Sequence, residues 1–208
     1  MKGLFITFEG PDGAGKSTQI RQTEQYLQQK DQKTLLTREP GGTVIAEKIR
    51  TIILDPAHQE MDPMAEALLY AASRAQHTAE VILPAMASGC TVICDRYMDS
   101  SIAYQGYGRR LGDPVRIINE IAVKGTKPDL TFLLLLDPEI GRSRICGEKD
   151  RLELEKEEYH RAVYDGYLEI ARQNPERIVV VDANRSIEDI QVEIRRRIDL
   201  LLEKKANL

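Results

Sequence analysis

The sequence has no tryptophan, few cysteines and no long apolar run. Its three cysteines, Cys90, Cys94 and Cys146, form neither a CxxC pair nor a cluster with histidine. This argues against a disulfide framework and a structural metal site, so we expect buried thiols. Apolar runs such as residues 132–136 are far shorter than the roughly 20 residues that span a bilayer, so no membrane partner is expected.

A strong charge of one sign is also lacking. The chain has 29 lysines and arginines against 33 aspartates and glutamates, a net charge of -4, which gives no general attraction to nucleic acid. No repeat, low-complexity tract or long linker divides the 208 residues. We therefore predict one domain over residues 1–208. Because the chain opens on a strand-like segment instead of a leader, we expect a cytoplasmic protein.

Short apolar segments alternate along the chain with segments of helical spacing. Five of them predict strands buried on both faces, as in a parallel sheet: Leu4–Phe8, Thr34–Thr37, Thr91–Cys94, Leu130–Leu136 and Ile178–Val181. Helices are predicted at Ser17–Gln29, Val44–Leu54, Pro63–Ala87, Pro114–Val123, Pro138–Cys146, Leu152–Gln173 and Ile187–Lys204. The alternation predicts an α/β three-layer sandwich, with a five-stranded parallel sheet flanked by helices.

A glycine-rich loop follows the first predicted strand. Residues 10–17 fit the pattern GxxxxGKS between a strand and a helix, the context that a phosphate-binding loop requires. Backbone N–H groups of such a loop wrap a phosphate chain, Lys16 supplies a cation for the outer phosphates, and Ser17 offers a hydroxyl to Mg2+. The sequence therefore predicts an ATP-type site formed by Gly10, Pro11, Asp12, Gly13, Ala14, Gly15, Lys16, Ser17 and Thr18.

The segment Thr126–Asp129, with the sequence TKPD, resembles the guanine-binding motif of GTPases. That motif follows a strand, at the sheet edge where ligands bind, whereas this segment precedes a predicted strand. We therefore predict a strand-entry turn at the opposite edge.

Three arginines are candidates for a second anion site. Arg38 and Arg96 follow predicted strands at the same edge as the phosphate loop, and Arg74 lies in a predicted helix. Guanidinium groups hold phosphate through two hydrogen bonds and stabilise the charge of a phosphoryl group in transfer. Tyr70 precedes Arg74 by four residues, so both lie on one helical face, where a ring and a donor can bind a base.

Together these motifs resemble the thymidylate kinase (dTMP kinase) family of P-loop nucleoside monophosphate kinases, almost from end to end. The loop is generic, whereas Arg38–Thr43 (REPGGT) and Asp95–Tyr97 followed by Ser101 and Ala103–Gly106 are specific, and Asp150–Glu153 also matches. The resemblance implies transfer of the γ-phosphoryl group of MgATP to dTMP, giving dTDP and ADP. It also favours a homodimer.

The resemblance implies a role for each residue near the base and the sugar. Tyr70 would stack on thymine, and Arg74 would donate to a thymine carbonyl. Ser101 and Gln105 would approach the base edge. Tyr104 would crowd the sugar 2' position, which disfavours a ribose hydroxyl.

The resemblance also implies the phosphate and metal contacts. Arg38 and Arg96 would hold the acceptor phosphate, and Asp12 would accept from the sugar 3'-hydroxyl. Asp95 is placed like the acidic residue that supports Mg2+ beside Ser17. The implied substrate-binding set is Asp12, Arg38, Glu39, Tyr70, Arg74, Arg96, Ser101, Tyr104 and Gln105.

A mobile lid of residues 142–152 is also expected. Some family members carry an arginine directly after the aspartate of the phosphate loop, but Gly13 stands there in this chain. The charge would then come from the lid, as in bacterial members, where Arg144, Arg151 and Lys149 all remain candidates. No catalytic base is expected, because the acceptor phosphate is itself the nucleophile. The predicted catalytic set is Lys16, Arg96, Arg144 and Arg151.

Three other functions stay open from the sequence alone. A P-loop kinase for another acceptor would differ only in the base site. A nucleotide-dependent switch would hydrolyse slowly without an acceptor and would carry a guanine-binding motif after a strand. An inactive dimeric relative could serve as a binding module, although the retained Lys16 and Arg96 argue against it.

Overall fold

Five parallel strands form the centre of the molecule, in the order β2-β3-β1-β4-β5. The computed structural model describes residues 2–144 and 150–206. The strands are β1 (Phe5–Glu9), β2 (Thr34–Arg38), β3 (Thr91–Asp95), β4 (Leu130–Leu135) and β5 (Ile178–Asp182). The predicted fold class and all five strands are confirmed, with ends that differ by one residue.

Helices cover both faces of this sheet. They are α1 (Lys16–Gln29), α2 (Val44–Leu54), α3 (Pro63–His77), α4 (Leu83–Ala87), α5 (Met98–Ser101), α6 (Asp113–Val123), α7 (Pro138–Arg144), α8 (Glu157–Gln173) and α9 (Ile187–Ala206). Two π-helical segments, Thr78–Ile82 and Ile102–Gly108, follow α3 and α5. None of the helices in the described ranges is long and apolar enough to cross a membrane.

The central strand β1 alternates between two cores. Ile6 and Phe8 pack with Ile20 of α1 and Ile194 of α9 on one face, whereas Phe5 packs on the other face. This alternation has the period of two that a strand imposes on its side chains. Because β1 pairs with both β3 and β4, the loop after β1 lies at the middle of the carboxyl edge, where such sheets bind ligands.

Several boundaries differ from the sequence predictions. The predicted helix Leu152–Gln173 begins only at Glu157, because the Asp150 side chain accepts from the N–H groups of Leu152 and Glu153, at 2.9 Å each, and forms a turn. The predicted helix Pro63–Ala87 contains a π-helical segment. The last two residues of the predicted helix Pro138–Cys146 lie outside the described residues.

The cysteine prediction is only partly confirmed. Cys94 is buried, but Cys90 is half-buried because it lies in the turn before β3, and both thiols are free. Cys146 and Lys149 lie outside the described residues.

The segment Thr126–Asp129 lies at the amino edge of the sheet, as predicted. The Asp129 carboxylate accepts a hydrogen bond of 2.7 Å from the N–H of Phe5, at the start of β1. The segment is therefore remote from the glycine-rich loop.

Candidate active site

The loop between β1 and α1 has the shape of a phosphate-binding loop. Gly10, Gly13 and Gly15 have φ angles of 130°, 77° and 82°, values that favour glycine. Lys16 opens α1, and its ammonium donates to the carbonyl oxygens of Gly10 (3.0 Å) and Pro11 (2.9 Å). Burial lowers the pKa of Lys16 to about 8. The loop thus holds a desolvated cation at the start of α1.

A cavity of about 400 Å³ opens at this loop, with Ser17 and Asp95 in its wall. Oδ1 of Asp95 is buried and has no hydrogen-bond partner among the described residues. A carboxylate oxygen beside a hydroxyl suits Mg2+, which binds one or two protein groups and otherwise keeps water and phosphate oxygens. The described residues hold no cluster of three or more candidate metal ligands. The site therefore fits an ion that arrives with a nucleotide.

Arg96 lies between this cavity and a second one. Its guanidinium donates to Asp12 (2.6 Å), to Ser100 and Tyr167 (3.1 Å each) and to Tyr104 (3.3 Å). Burial alone would raise the pKa of Asp12, but the charge of Arg96 lowers that pKa well below its usual range. Arg96 has a φ of 67°, a strained conformation for a residue with a side chain. Such strain is common where a functional side chain is held in place.

The second cavity, of about 110 Å³, lies against α3 and the π-helical segment after α5. Its wall includes eight of the nine predicted substrate-binding residues: Asp12, Glu39, Tyr70, Arg74, Arg96, Ser101, Tyr104 and Gln105. The ninth, Arg38, lines the loop cavity, where it pairs with Glu47 at 3.0 Å. The structure thus brings residues from four separate stretches of sequence to one site.

Arg74 is fully buried in this wall. It donates to Glu39 (2.7 Å), to Ser101 and the Tyr97 carbonyl (2.9 Å each), and to Asn119 through a short bond. A guanidinium has five N–H groups, and the described residues account for four of them. One N–H on Nη2 therefore remains to bind a carbonyl oxygen.

The two predicted lid arginines have different surroundings. Arg144 lines the loop cavity. Arg151 is only 5% exposed, and it donates to Glu66 (2.6 Å) and the Ile53 carbonyl (2.8 Å). The structure does not bring Arg151 to the phosphate loop, because the buried Glu66 carboxylate holds its guanidinium.

A close backbone contact joins the loop to α7. A Cβ atom on Gly13 would lie 2.2 Å from the Gly141 carbonyl oxygen, and one on Gly141 would lie 2.5 Å from that of Asp12. A side chain at position 13 is therefore incompatible with α7 in this place. That the additional positive charge comes from the lid stays a prediction.

Sequence analysis does not single out Arg50 or Tyr167. Arg50 reaches both cavities from α2 and donates to the Pro40 carbonyl at 3.0 Å, and burial lowers its pKa. In the sequence Arg50 is indistinguishable from a surface arginine. The sequence leaves Ser100 open as a helix cap or a ligand contact, and the structure places it inside α5, with its hydroxyl against Glu9 and Tyr167. Tyr167 comes from α8, which no local motif connects to β3.

A phosphate loop with a second cavity beside it, and an arginine between the two, define a P-loop kinase with separate donor and acceptor sites. The comparisons identify its family. The thymidylate kinase family model matches residues 8–194. The thymidylate kinase of an Exiguobacterium species is 50% identical over 197 residues, 93% of each chain, and that of Lactobacillus delbrueckii subsp. bulgaricus is 53% identical over 196 residues, 91% of this chain and 92% of the relative.

The comparison with solved structures points to the same family. The crystal structure of thymidylate kinase from Ehrlichia chaffeensis superposes with a TM-score of 0.77 at 32% identity, covering 95% of this chain and 99% of that one. This chain belongs to the thymidylate kinase family. It is therefore a transferase of the nucleotide kinase type.

Proposed function

We propose that this chain transfers the γ-phosphoryl group of ATP to dTMP, forming dTDP and ADP in dTTP biosynthesis. The observation that carries this proposal is the pair of adjoining cavities that share Asp12 and Arg96. One cavity is built on the phosphate loop, and the other has an aromatic and polar wall suited to a base. An oxygen of the acceptor phosphate attacks the γ-phosphorus, and the bond from that phosphorus to the bridging β-oxygen breaks.

On the donor side, the loop N–H groups and Lys16 bind the phosphate chain of ATP. Ser17 and Asp95 would hold Mg2+, which supplies charge neutralisation at the β- and γ-phosphates when it is bound. In transfer, Arg96 stabilises the acceptor phosphate, and Arg144 adds charge from the lid. By analogy with oxyanion sites, each well-placed donor is worth roughly 3 to 4 kcal/mol.

On the acceptor side, Tyr70 stacks on the base and the remaining N–H of Arg74 binds a base carbonyl. Asp12 accepts from the sugar 3'-hydroxyl while Arg96 holds it in place. Tyr104 donates to Asp12 at 3.1 Å, so its ring lies beside the group that holds the sugar. There the ring crowds the position of a ribose 2'-hydroxyl. These contacts favour a deoxyribonucleotide with a thymine base.

We further propose a homodimer formed through the exposed side of α2, α3 and α6. The helix α3 packs against both α2 and α6. Six large apolar side chains on these helices are each between 45% and 74% exposed: Val44, Ile45, Ile52, Leu68, Ile117 and Ile121. A second copy of the chain would cover them, and a molar mass from light scattering tests this.

A single domain over residues 1–208, a lid at 142–152 and a cytoplasmic location complete the proposal.

The direct test is an ADP-release assay with MgATP and, in turn, dTMP, dUMP, ribosyl TMP, dGMP, AMP and no acceptor. Turnover that strongly favours dTMP supports the proposal. Turnover with another acceptor alone would retain the phosphoryl chemistry but remove the base assignments. Hydrolysis that needs no acceptor would favour a nucleotide switch.

The arginine roles are tested in the same assay with single variants. Arg96→Ala and Arg144→Ala should each lower kcat by about two orders of magnitude or more while the protein remains folded. Arg172→Ala is the matched control, because this side chain is exposed in a pair with Glu169 on α8. Near-normal turnover of either test variant would contradict its role.

A further inference from the structure

A buried carboxylate lies beneath the acceptor cavity. Glu66 is fully buried on α3, one helical turn before Tyr70. Its oxygens accept from Gln105 Nε2 (2.9 Å), from Arg109 (3.0 Å) and from Arg151 (2.6 Å). Because two guanidinium groups pair with it, Glu66 acts as a carboxylate, which only accepts hydrogen bonds.

Glu66 determines the orientation of the Gln105 carboxamide. The opposite orientation would place the amide oxygen against a carboxylate oxygen, with two acceptors in contact and no proton between them. The Nε2 group therefore points to Glu66, and Oε1 points away from it. Gln105 is 1% exposed and lines the acceptor cavity, and its Oε1 is buried with no hydrogen-bond partner among the described residues.

An unpaired buried acceptor is costly unless a ligand satisfies it. The same wall contains Arg74, whose remaining Nη2 N–H needs an acceptor. The wall of this cavity thus contains one acceptor and one donor. Thymine and uracil carry the complementary pair, the N3–H and the C4 carbonyl. Cytosine carries the reverse pair, an N3 acceptor and an N4 amino donor.

We propose that Glu66 is a specificity-determining positioning residue that fixes the Gln105 amide, so that the cavity accepts a base with a ring N–H and rejects cytosine. This rests on the proposed function, in which a pyrimidine nucleotide occupies this cavity. Glu66 does not line the cavity, and it acts on the base through Gln105. A site whose buried polar groups are left unpaired by an analogue rejects that analogue strongly.

The test is Glu66→Gln, which keeps the shape but can donate as well as accept, so that Gln105 is free to turn. The measurement is kcat/KM for dTMP divided by kcat/KM for dCMP in the same preparation, which cancels any general loss of activity. We expect this ratio to fall about tenfold or more, mainly through a gain with dCMP. A purely structural role would lower both values and leave the ratio unchanged.

Two further variants separate an effect on Gln105 from a general loss of folding. Arg109→Gln removes one charge partner of Glu66 but leaves the carboxylate against Gln105, so the ratio should stay within about threefold of the wild type. The exchange E66Q/Q105E keeps a carboxylate in the cluster and again presents an acceptor to the cavity. It should restore the preference for dTMP, and its melting temperature shows whether it folds.

A folded Glu66→Gln variant with an unchanged ratio would overturn the proposal. So would an equal fall of the ratio in Arg109→Gln, or a folded exchange variant that does not recover the preference. Failure of the wild-type protein to phosphorylate dTMP would instead contradict the proposed function. The two failures are therefore distinguishable.

Discussion

The ammonium of Lys16 is expected to take up a proton when ATP binds at alkaline pH. Burial, followed by the nearby charge of Arg96, lowers its pKa from the usual 10.5 to about 8 in the protein without nucleotide. The phosphates of ATP place negative charge against the ammonium and raise this pKa again. About half of the Lys16 side chains are then neutral at pH 8 before binding, and nearly all are charged afterwards.

The expected proton uptake equals the fraction of Lys16 side chains that are neutral before ATP binds. We expect uptake of about 0.1 proton per ATP bound at pH 7, about 0.5 at pH 8 and about 0.9 at pH 9. Binding takes up protons and does not release them, because ATP favours the charged form of Lys16. Affinity for ATP should weaken above pH 8, toward about tenfold for each further pH unit. Isothermal titration in buffers of different ionisation enthalpy gives the proton count directly.

Lys16→Arg is the matched control, since arginine keeps a cation at the loop but does not titrate in this range. Its proton uptake at pH 9 should be close to zero. Uptake near zero in the wild-type protein would refute the reasoning about burial. Equal uptake in both proteins would assign the proton to another group.

Two further predictions concern α7 and the buried end of β1. Gly141→Ala gains about 1 kcal/mol of helix propensity, but its Cβ would lie 2.5 Å from the Asp12 carbonyl oxygen. Turnover should therefore fall, whereas Gly106→Ala, with no atom nearer than 3.8 Å, should remain active, and equal activity of both would contradict the contact. Burial raises the pKa of Glu9 from its usual 4.5 to about 7, so the unfolded chain loses this proton first and the free energy of unfolding falls as the pH rises across that range. Glu9→Gln should remove that fall in urea unfolding, and an identical pH dependence of the two proteins would be the contrary result.

The architecture and the donor site were largely predictable because their signals are local. A buried parallel strand needs a short apolar run, and a phosphate loop needs glycine at particular φ angles followed by lysine and serine. Both requirements fall within a few consecutive residues. Sequence analysis therefore placed the strand ends to within one residue, and it began the first helix at Ser17, one residue after its start at Lys16.

The role of Arg151 was not predictable in this way. It lies within the expected cationic lid, so sequence analysis makes it one of the candidates for contact with the phosphates. Its partner Glu66 lies 85 residues away on α3. Whether an arginine faces a ligand or a buried carboxylate depends on which element packs against it.

By itself the sequence determined the α/β fold, the phosphate loop and the residue types of the acceptor site, because periodicity and short motifs encode them. Only the tertiary structure decided which groups meet and which polar atoms remain unpaired. Arg50 at both cavities, the four partners of Arg74 and the direction of the Gln105 amide all depend on contacts between distant segments. Hydrogen-bond satisfaction is a property of the packed interior, where every donor and acceptor must find its partner without water.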